Sequence, residues 1–296
     1  MCQKNQEQIR KIVNNTDLCV LDSIQKIRSI AIEEHSNYVY RGLSRDDQLF
    51  PTILRNIPKA VDNNIRLYER KIYEDYCKYS IQYLPYYAYP EDFLASAQHY
   101  GLPTRLLDWT SNFNIALFFA CSDNTIDSYI IKAKKEYIID SLLQFPTDTS
   151  SCQPLDNRLR LLFNNMDYFD NETKKGNIYS QKPQYGQEYI IKTIQKSVKD
   201  NSMCFLKTHD ANPRIVAQQG LFEFCKIKPN STIEQIKSEH LQRLNNTMSS
   251  MYKIPQKQKL EFMSYLKSIG ITSASIFLDL ENICKFIKND NKNFGQ

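Results

Sequence analysis

Three short stretches of the 296-residue chain combine polar side chains with tight turns in a way that core packing alone does not demand: Tyr40-Arg41-Gly42, Gln98 to Ser111, and Pro213 to Phe222. Arg41 has apolar neighbours, so its guanidinium needs an anion, a carbonyl or water to offset desolvation. It suits a phosphate or ribose of a ligand, and equally a salt bridge to an acid such as Asp108. Gly42 permits close backbone approach or a positive φ. His99, shortly before Gly101, can act as a general base, bond a ribose hydroxyl or cap helix carbonyls. Asp108, Thr110 and Ser111 fall where a strand turns into a helix whose free N–H groups attract anions. Trp109, the single tryptophan, offers either a stacking wall or a core filler. His99, Asp108 and Ser111 formally make a Ser-His-Asp set, but no G-x-S-x-G elbow surrounds the serine and a hydrolase triad is set aside. Gln218 and Gln219 before Gly220 can hold sugar hydroxyls or end a loop. Glu223 faces opposite to Phe222 and Phe224, toward pocket or solvent.

The elements that must position these residues follow from periodicity and punctuation. Leu21, Ile24, Ile27 and Ala31 predict a helix behind Thr16 and Asp17, and Tyr38 to Arg41 a short strand stopping at Gly42. Between Pro58 and Tyr89 a long helix is expected, with Tyr68, Ile72, Tyr76, Tyr79 and Tyr83 as one stripe that faces core or groove. Pro90 opens the next helix, with Phe93, Leu94 and Ala97 inward and Gly101 and Pro103 as its stop. Thr104 to Trp109 then reads as a strand, followed by a helix with Ile115, Ala116, Phe119 and Ala120 on one face. Ser128 to Ala133 is another strand. Residues 134–201 are polar and turn-rich and read as an insertion holding one helix near Leu155 to Phe163. Met203 to Lys207 and Leu221 to Ile227 are strands flanking a loop, and the C-terminal third is helical.

Composition limits the classes of function. Hydrophobic residues at 42% with 24% charged mark a folded chain, and the +5 net charge is scattered rather than gathered into a basic surface for nucleic acid. The apolar runs are far too short to span a bilayer and the N-terminus lacks a leader pattern, so a cytoplasmic protein with no membrane partner is expected. The 8 cysteines lie apart and read as reduced thiols; Cys204, His209 and Cys225 lack a C-x-x-C arrangement, so no metal is expected. Only 7 glycines leave no dinucleotide fingerprint and no P-loop. No repeat or linker divides the chain, which favours one α+β domain with a helical C-terminal subdomain.

The order of the motifs carries a resemblance. Tyr40-Arg41-Gly42, then A-Q-H-Y-G-L-P-T-R-L-L-D-W-T-S-N from Ala97, then P-R-I-x-x-Q-Q-G-L-F from Pro213, closely resembles the FRG domain over about Ser36 to Ile227. The likeness divides the chain into a helical lead-in (1–35), the FRG domain (36–228, with the insertion about 134–201) and a helical extension (229–296). Members occur in bacteria, archaea and phages, some near anti-phage defence loci. A deeper resemblance is to the ADP-ribosyltransferase fold, which implies two split small sheets flanked by helices, with NAD as substrate in the cleft between them. On that resemblance Arg41 and Gly42 match the arginine motif that contacts NAD, and Trp109-Thr110-Ser111 matches the Ser-Thr-Ser strand at the nicotinamide pocket. Tyr100 or Trp109 would stack, and His99 and Gln219 would orient the ribose. Gly220 or Gln219 stands where the family places a catalytic glutamate, leaving Glu223 or His99 to substitute. The implied function is ADP-ribosyl transfer to a protein or nucleic-acid acceptor, or NAD hydrolysis. The alternative is a non-catalytic module that binds or senses a nucleotide-like small molecule.

Overall fold

A computed structural model describes residues 7–13, 18–33, 37–55, 61, 64–80, 82–83, 90–140, 187–208, 213–228 and 230–290. Its strands are β1 (Leu18–Val20), β2 (Tyr38–Leu43), β3 (Leu106–Thr110), β4 (Ser128–Lys134), β5 (Ile138–Asp140), β6 (Phe205–Lys207), β7 (Gly220–Phe224) and β8 (Met248–Ile254). The helices are α1 (Glu7–Val13), α2 (Ile24–Glu33), α3 (Ile65–Ser80), α4 (Pro90–His99), α5 (Phe113–Ala120), α6 (Gln187–Lys199), α7 (Pro213–Ala217), α8 (Ile233–Thr247), α9 (Lys259–Ser268), α10 (Ser273–Ile276) and α11 (Leu280–Asp290). The strands form one mixed sheet in the order β1-β8-β4-β2-β3-β7-β6-β5, parallel at its two outer pairs.

The sheet has a weak line at its centre. β2 and β4 share six register pairs and β3 and β7 share five, but β2 and β3 meet at one, Tyr40 opposite Thr110. Strand alternation then sorts the core. Val39, Leu43, Trp109, Ile131, Phe205 and Leu221 fill one continuous face under Ile236 and Leu244 of α8. The opposite face is divided. On the β2 side Tyr40, Ile130 and Tyr252 pack under α5 and α9, while on the β3 side Leu106, Phe222 and Phe224 pack under α3 and α4. The weak line therefore runs between two separate helical covers on one face and over one continuous core, shared by α1, α8 and the stretch 44–55, on the other.

Local chemistry explains the elements beside that line. α4 ends in a Schellman turn: Gly101 has φ +89°, its N–H donates to Gln98 O at 3.0 Å, and Leu102 N–H donates to Ala97 O at 2.9 Å. α5 is capped by Asn112, whose side chain accepts from Asn114 N–H at 2.9 Å. A Cβ on Gly42 would lie 2.0 Å from Ala116 O and 2.7 Å from Ala120 N, so this glycine exists to let α5 lie directly on β2. At the start of β3, Arg105 is fully buried and donates through Nε to both oxygens of Glu69 on α3, at 2.9 and 2.8 Å. That pair fixes α3 to the strand.

Several expectations are corrected. The two small sheets are one hydrogen-bonded sheet pinched at β2–β3. The helix expected behind Thr16 and Asp17 starts at Ile24, and Leu18–Val20 before it is a strand. The C-terminal part is not an all-helical subdomain, because β8 inserts between β1 and β4; nor is the N-terminal part only helical, since β1 is the sheet's edge. The stripe on α3 is rotated: Ile65, Glu69 and Tyr73 are buried, while Tyr79 and Tyr83 are 69% and 80% exposed. On α9 the buried residues are Lys259, Phe262, Tyr265 and Leu266, while Leu260 points outward. Residues 138–140 of the expected insertion pair with β6 as a parallel strand. The helix expected near Leu155 to Phe163 lies outside the described residues, as do Thr16, Asp17, Pro58 and His209.

Candidate functional site

Over the weak line, on the divided face, lies a cavity of about 320 Å³ between α4 and α5, bordered by α7 and by the turn-rich stretch 44–55. All three motif stretches reach it: Arg41 and Gly42 from the first, His99, Asp108 and Thr110 from the second, Arg214, Gln218 and Gly220 from the third.

Arg41 sits in the gap where β2 and β3 part. Its Nη1 donates to Asp108 O, and its Nε and Nη2 donate to Gln48 O at 3.0 and 2.9 Å. The guanidinium thereby supplies one bond to β3 where the ladder is missing, and ties the strand gap to the turn at Gln48. Two further arginines share the cavity. Arg55 is held through Nε to Phe50 O at 2.7 Å, and Arg214 lies over the Phe277 ring at 4.6 Å with Nη1 3.3 Å from His99 Nδ1. Desolvation lowers the pKa of all three guanidiniums, Arg41 to about 10, and the Asp108 carboxylate opposes the shift in each. Asp108 is the one carboxylate among the described residues that line the cavity. Its Oδ1 accepts from Gln98 Nε2 at 2.7 Å, and Gln98 Oε1 accepts in turn from Thr104 Oγ1.

His99 is half-buried. Desolvation first, then the neighbouring Arg214, hold its pKa below the usual histidine value, so the ring is neutral at pH 7 and available as acceptor or base. Thr110 Oγ1 donates to Gln218 O at 2.7 Å and accepts from Asn112 N–H at 3.0 Å, which ties the second motif to the third. Ser111 adds to that tie, its N–H and Oγ both reaching Gln219 O at 3.0 and 3.2 Å.

Other candidate side chains are not brought to the cavity. Tyr100 is 75% exposed, its ring edge-on to His99. Trp109 borders the cavity, but its ring is turned to the far core, edge-on to Phe205 at 5.6 Å, so it stacks on protein. Ser111 is spent on Gln219 O, and Gln219, at φ +45°, is exposed while Gln218 takes its place at the wall. Glu223 lies behind the sheet, 1% exposed, with its Oε1 3.7 Å from His240 Nδ1 on α8. Burial pushes its carboxyl up to about 8, against the pull of Arg243 and Arg41. A neutral acid on the far face cannot stabilise positive charge developing in the cavity.

Sequence reasoning missed Gln48, Thr52 and Arg55, which line the cavity from the turn-rich stretch after β2. The signal for Arg55 was present: a lone cation closing the apolar run Leu49, Phe50, Ile53 and Leu54, all of them buried.

Fold and cavity together define a mixed α+β protein whose pinched sheet carries a cleft walled by guanidinium groups. Residues 36–128 match the FRG domain family, so the chain contains an FRG domain. The match takes in Arg41, His99 and Asp108 and stops before the third motif. No curated protein and no solved structure matches the chain.

Proposed function

We propose that the cleft binds a phosphorylated, nucleotide-like small molecule, with NAD as the first candidate. The observation that carries this reading is the charge of the cavity: Arg41, Arg55 and Arg214 converge on it against Asp108, the one carboxylate among the described residues that line it. Desolvated guanidiniums on an apolar wall of Leu106, Ile215 and Phe222 favour a multiply charged anion such as a pyrophosphate. Gln98 and Gln218 offer amides for sugar hydroxyls or a carboxamide. At about 320 Å³ the space is near the small end of ligand pockets, roughly 300–1,000 Å³, so one nucleotide half fills it and the other occupies its mouth.

The pinched sheet, with the arginine at its first strand and a strand-turn-helix beside it, supports an ADP-ribosyltransferase-like reading of the fold. In that reading turnover depends on Asp108, whose carboxylate stands in the cavity and is placed to stabilise positive charge at the ribose as nicotinamide leaves. An intracellular role in anti-phage defence belongs to the same proposal.

Isothermal titration with NAD, ADP-ribose, ADP and adenosine tests binding. Affinity is expected for the phosphorylated compounds and not for adenosine, with at least a tenfold loss in Arg55→Gln and Arg214→Gln. Absence of binding by all of them at millimolar concentration overturns the reading. Nicotinamide release abolished by Asp108→Asn marks an enzyme; NAD binding with no release at enzyme excess marks a sensing module.

A further inference from the structure

Behind the cavity, on the continuous face, three buried side chains from two elements converge. Glu223 on β7 and Cys225 just beyond it point the same way, two residues apart on an extended chain that remains paired to its neighbour through Cys225 N–H to Arg105 O at 3.1 Å. His240 comes down on them from α8. The residues are 1%, 1% and 3% exposed, and one ligand-type atom from each lies within 4.8 Å of the other two.

The hydrogen bonding there is incomplete in a specific way. His240 Nε2 is 2.9 Å from Leu49 O, and a carbonyl only accepts, so the proton is on Nε2 and Nδ1 offers a lone pair inward. That lone pair faces Glu223 Oε1 at 3.7 Å, too far for a hydrogen bond. His240 Nδ1 and Glu223 Oε2 are both buried with no hydrogen-bond partner. The Cys225 sulfur reaches only Lys226 O, at 3.8 Å. Each orphaned acceptor is destabilising if nothing fills the space between them.

The geometry points to a zinc site formed by Glu223, Cys225 and His240, with water in the fourth position. A tetrahedral zinc with Zn–N and Zn–O bonds of about 2.0–2.2 Å holds those atoms roughly 3.3–3.5 Å apart, close to the 3.7 Å between His240 and Glu223; small side-chain adjustments close that gap and bring in the sulfur. Thiolate, imidazole and carboxylate together suit zinc and not magnesium or calcium. The bond from His240 Nε2 to a backbone carbonyl is the outer-shell partner that metal-bound imidazoles use to fix their tautomer. Thiolate and carboxylate neutralise the dication, and the positive charge of Arg243, which acts electrostatically on Glu223, Cys225 and His240, favours the deprotonated forms that bind metal. The ion would join β7 to α8 and, through His240 and Leu49, brace the turn whose Gln48 carbonyl holds Arg41. This departs from the metal-free expectation, which rested on cysteine spacing and considered neither Glu223 nor His240 as a ligand.

The test uses the full, untagged chain produced with added zinc and purified without chelator. Elemental analysis is expected to give about one zinc per chain, and cobalt replacement to give a thiolate-to-cobalt charge-transfer band with the intense visible absorption of four-coordination. Cys225→Ser and His240→Gln should drop the metal to background, whereas His99→Gln should not. Less than about a tenth of an equivalent in the wild-type chain after zinc dialysis and desalting overturns the site, whatever the variants do. Zinc retained by both variants, or cobalt bound without a thiolate band, overturns it as well.

Discussion

Replacing Gly42 with alanine separates a glycine kept for a ligand from one kept for packing. The new Cβ would meet Ala116 O at 2.0 Å and Ala120 N at 2.7 Å, both backbone atoms of a helix that cannot rotate away. Restoring ordinary contact at about 3.4 Å requires α5 to lift by more than 1 Å from β2. Phe113, Ile115, Ala116, Leu117, Phe118 and Ala120 are all buried, so the lift loosens the whole interface. Overpacking of this kind costs about 1–3 kcal/mol. A void of roughly 100 Å³ beneath the lifted helix, at about 24 cal/mol per Å³, adds about 2 kcal/mol. The expected loss is therefore about 4 kcal/mol, or about 10 °C in melting temperature. Urea unfolding followed by far-UV circular dichroism and by emission of the buried Trp109 measures it. Gly220→Ala is the matched control: its nearest contact is the Ile215 side chain at 3.4 Å, and a loss under about 1 kcal/mol is expected. A Gly42→Ala chain within about 0.5 kcal/mol of wild type that has lost nucleotide binding would refute the packing argument and return Gly42 to the ligand.

Glu69→Gln should cost about 3–5 kcal/mol by leaving the buried Arg105 guanidinium without its counter-charge, and combining Glu69→Gln with Arg105→Met should recover part of it; equal loss in single and double variants would count against the pair. Arg41→Lys should destabilise by about 2 kcal/mol although charge is kept, because one ammonium cannot span Gln48 O and Asp108 O as the planar fork does; unchanged urea midpoints would show that the gap does not depend on Arg41. His99 has a folded pKa below the free value of 6.5, so its contribution to stability is present above that value and falls away as pH drops toward the folded pKa. Anion binding reverses the preference: affinity for ADP-ribose should rise from pH 7 to pH 5, and His99→Gln should flatten that slope in calorimetric titrations, whereas an unaltered slope would remove His99 from the site.

What was legible in the sequence is what short-range chemistry sets. The Pro90 start and Gly101 stop of α4, the strand-turn-helix through Asn112 and the extended stretch around Arg41 each depend on a few consecutive residues, whose caps and turns form without knowledge of the rest of the chain. That the three motif stretches share one cleft was implied only by the resemblance to the ADP-ribosyltransferase fold and by no local signal. Tertiary structure alone decided which side chains of those stretches meet. Thr110 and Gln218 reach the cavity and Ser111 and Gln219 do not, because the two turns are laced to each other through Gln218 O and Gln219 O. Glu223 is sent behind the sheet by strand alternation, which fixes opposite faces but cannot say which of them is hollow until one side is filled by a continuous core and the other by two separate ones. β8 follows α8 without a glycine or proline, and its place between β1 and β4 comes from pairing with residues more than a hundred positions away. Backbone hydrogen bonds between strands carry almost no sequence code, so sheet order, the central pinch and the cleft it opens emerge only when the whole chain is packed.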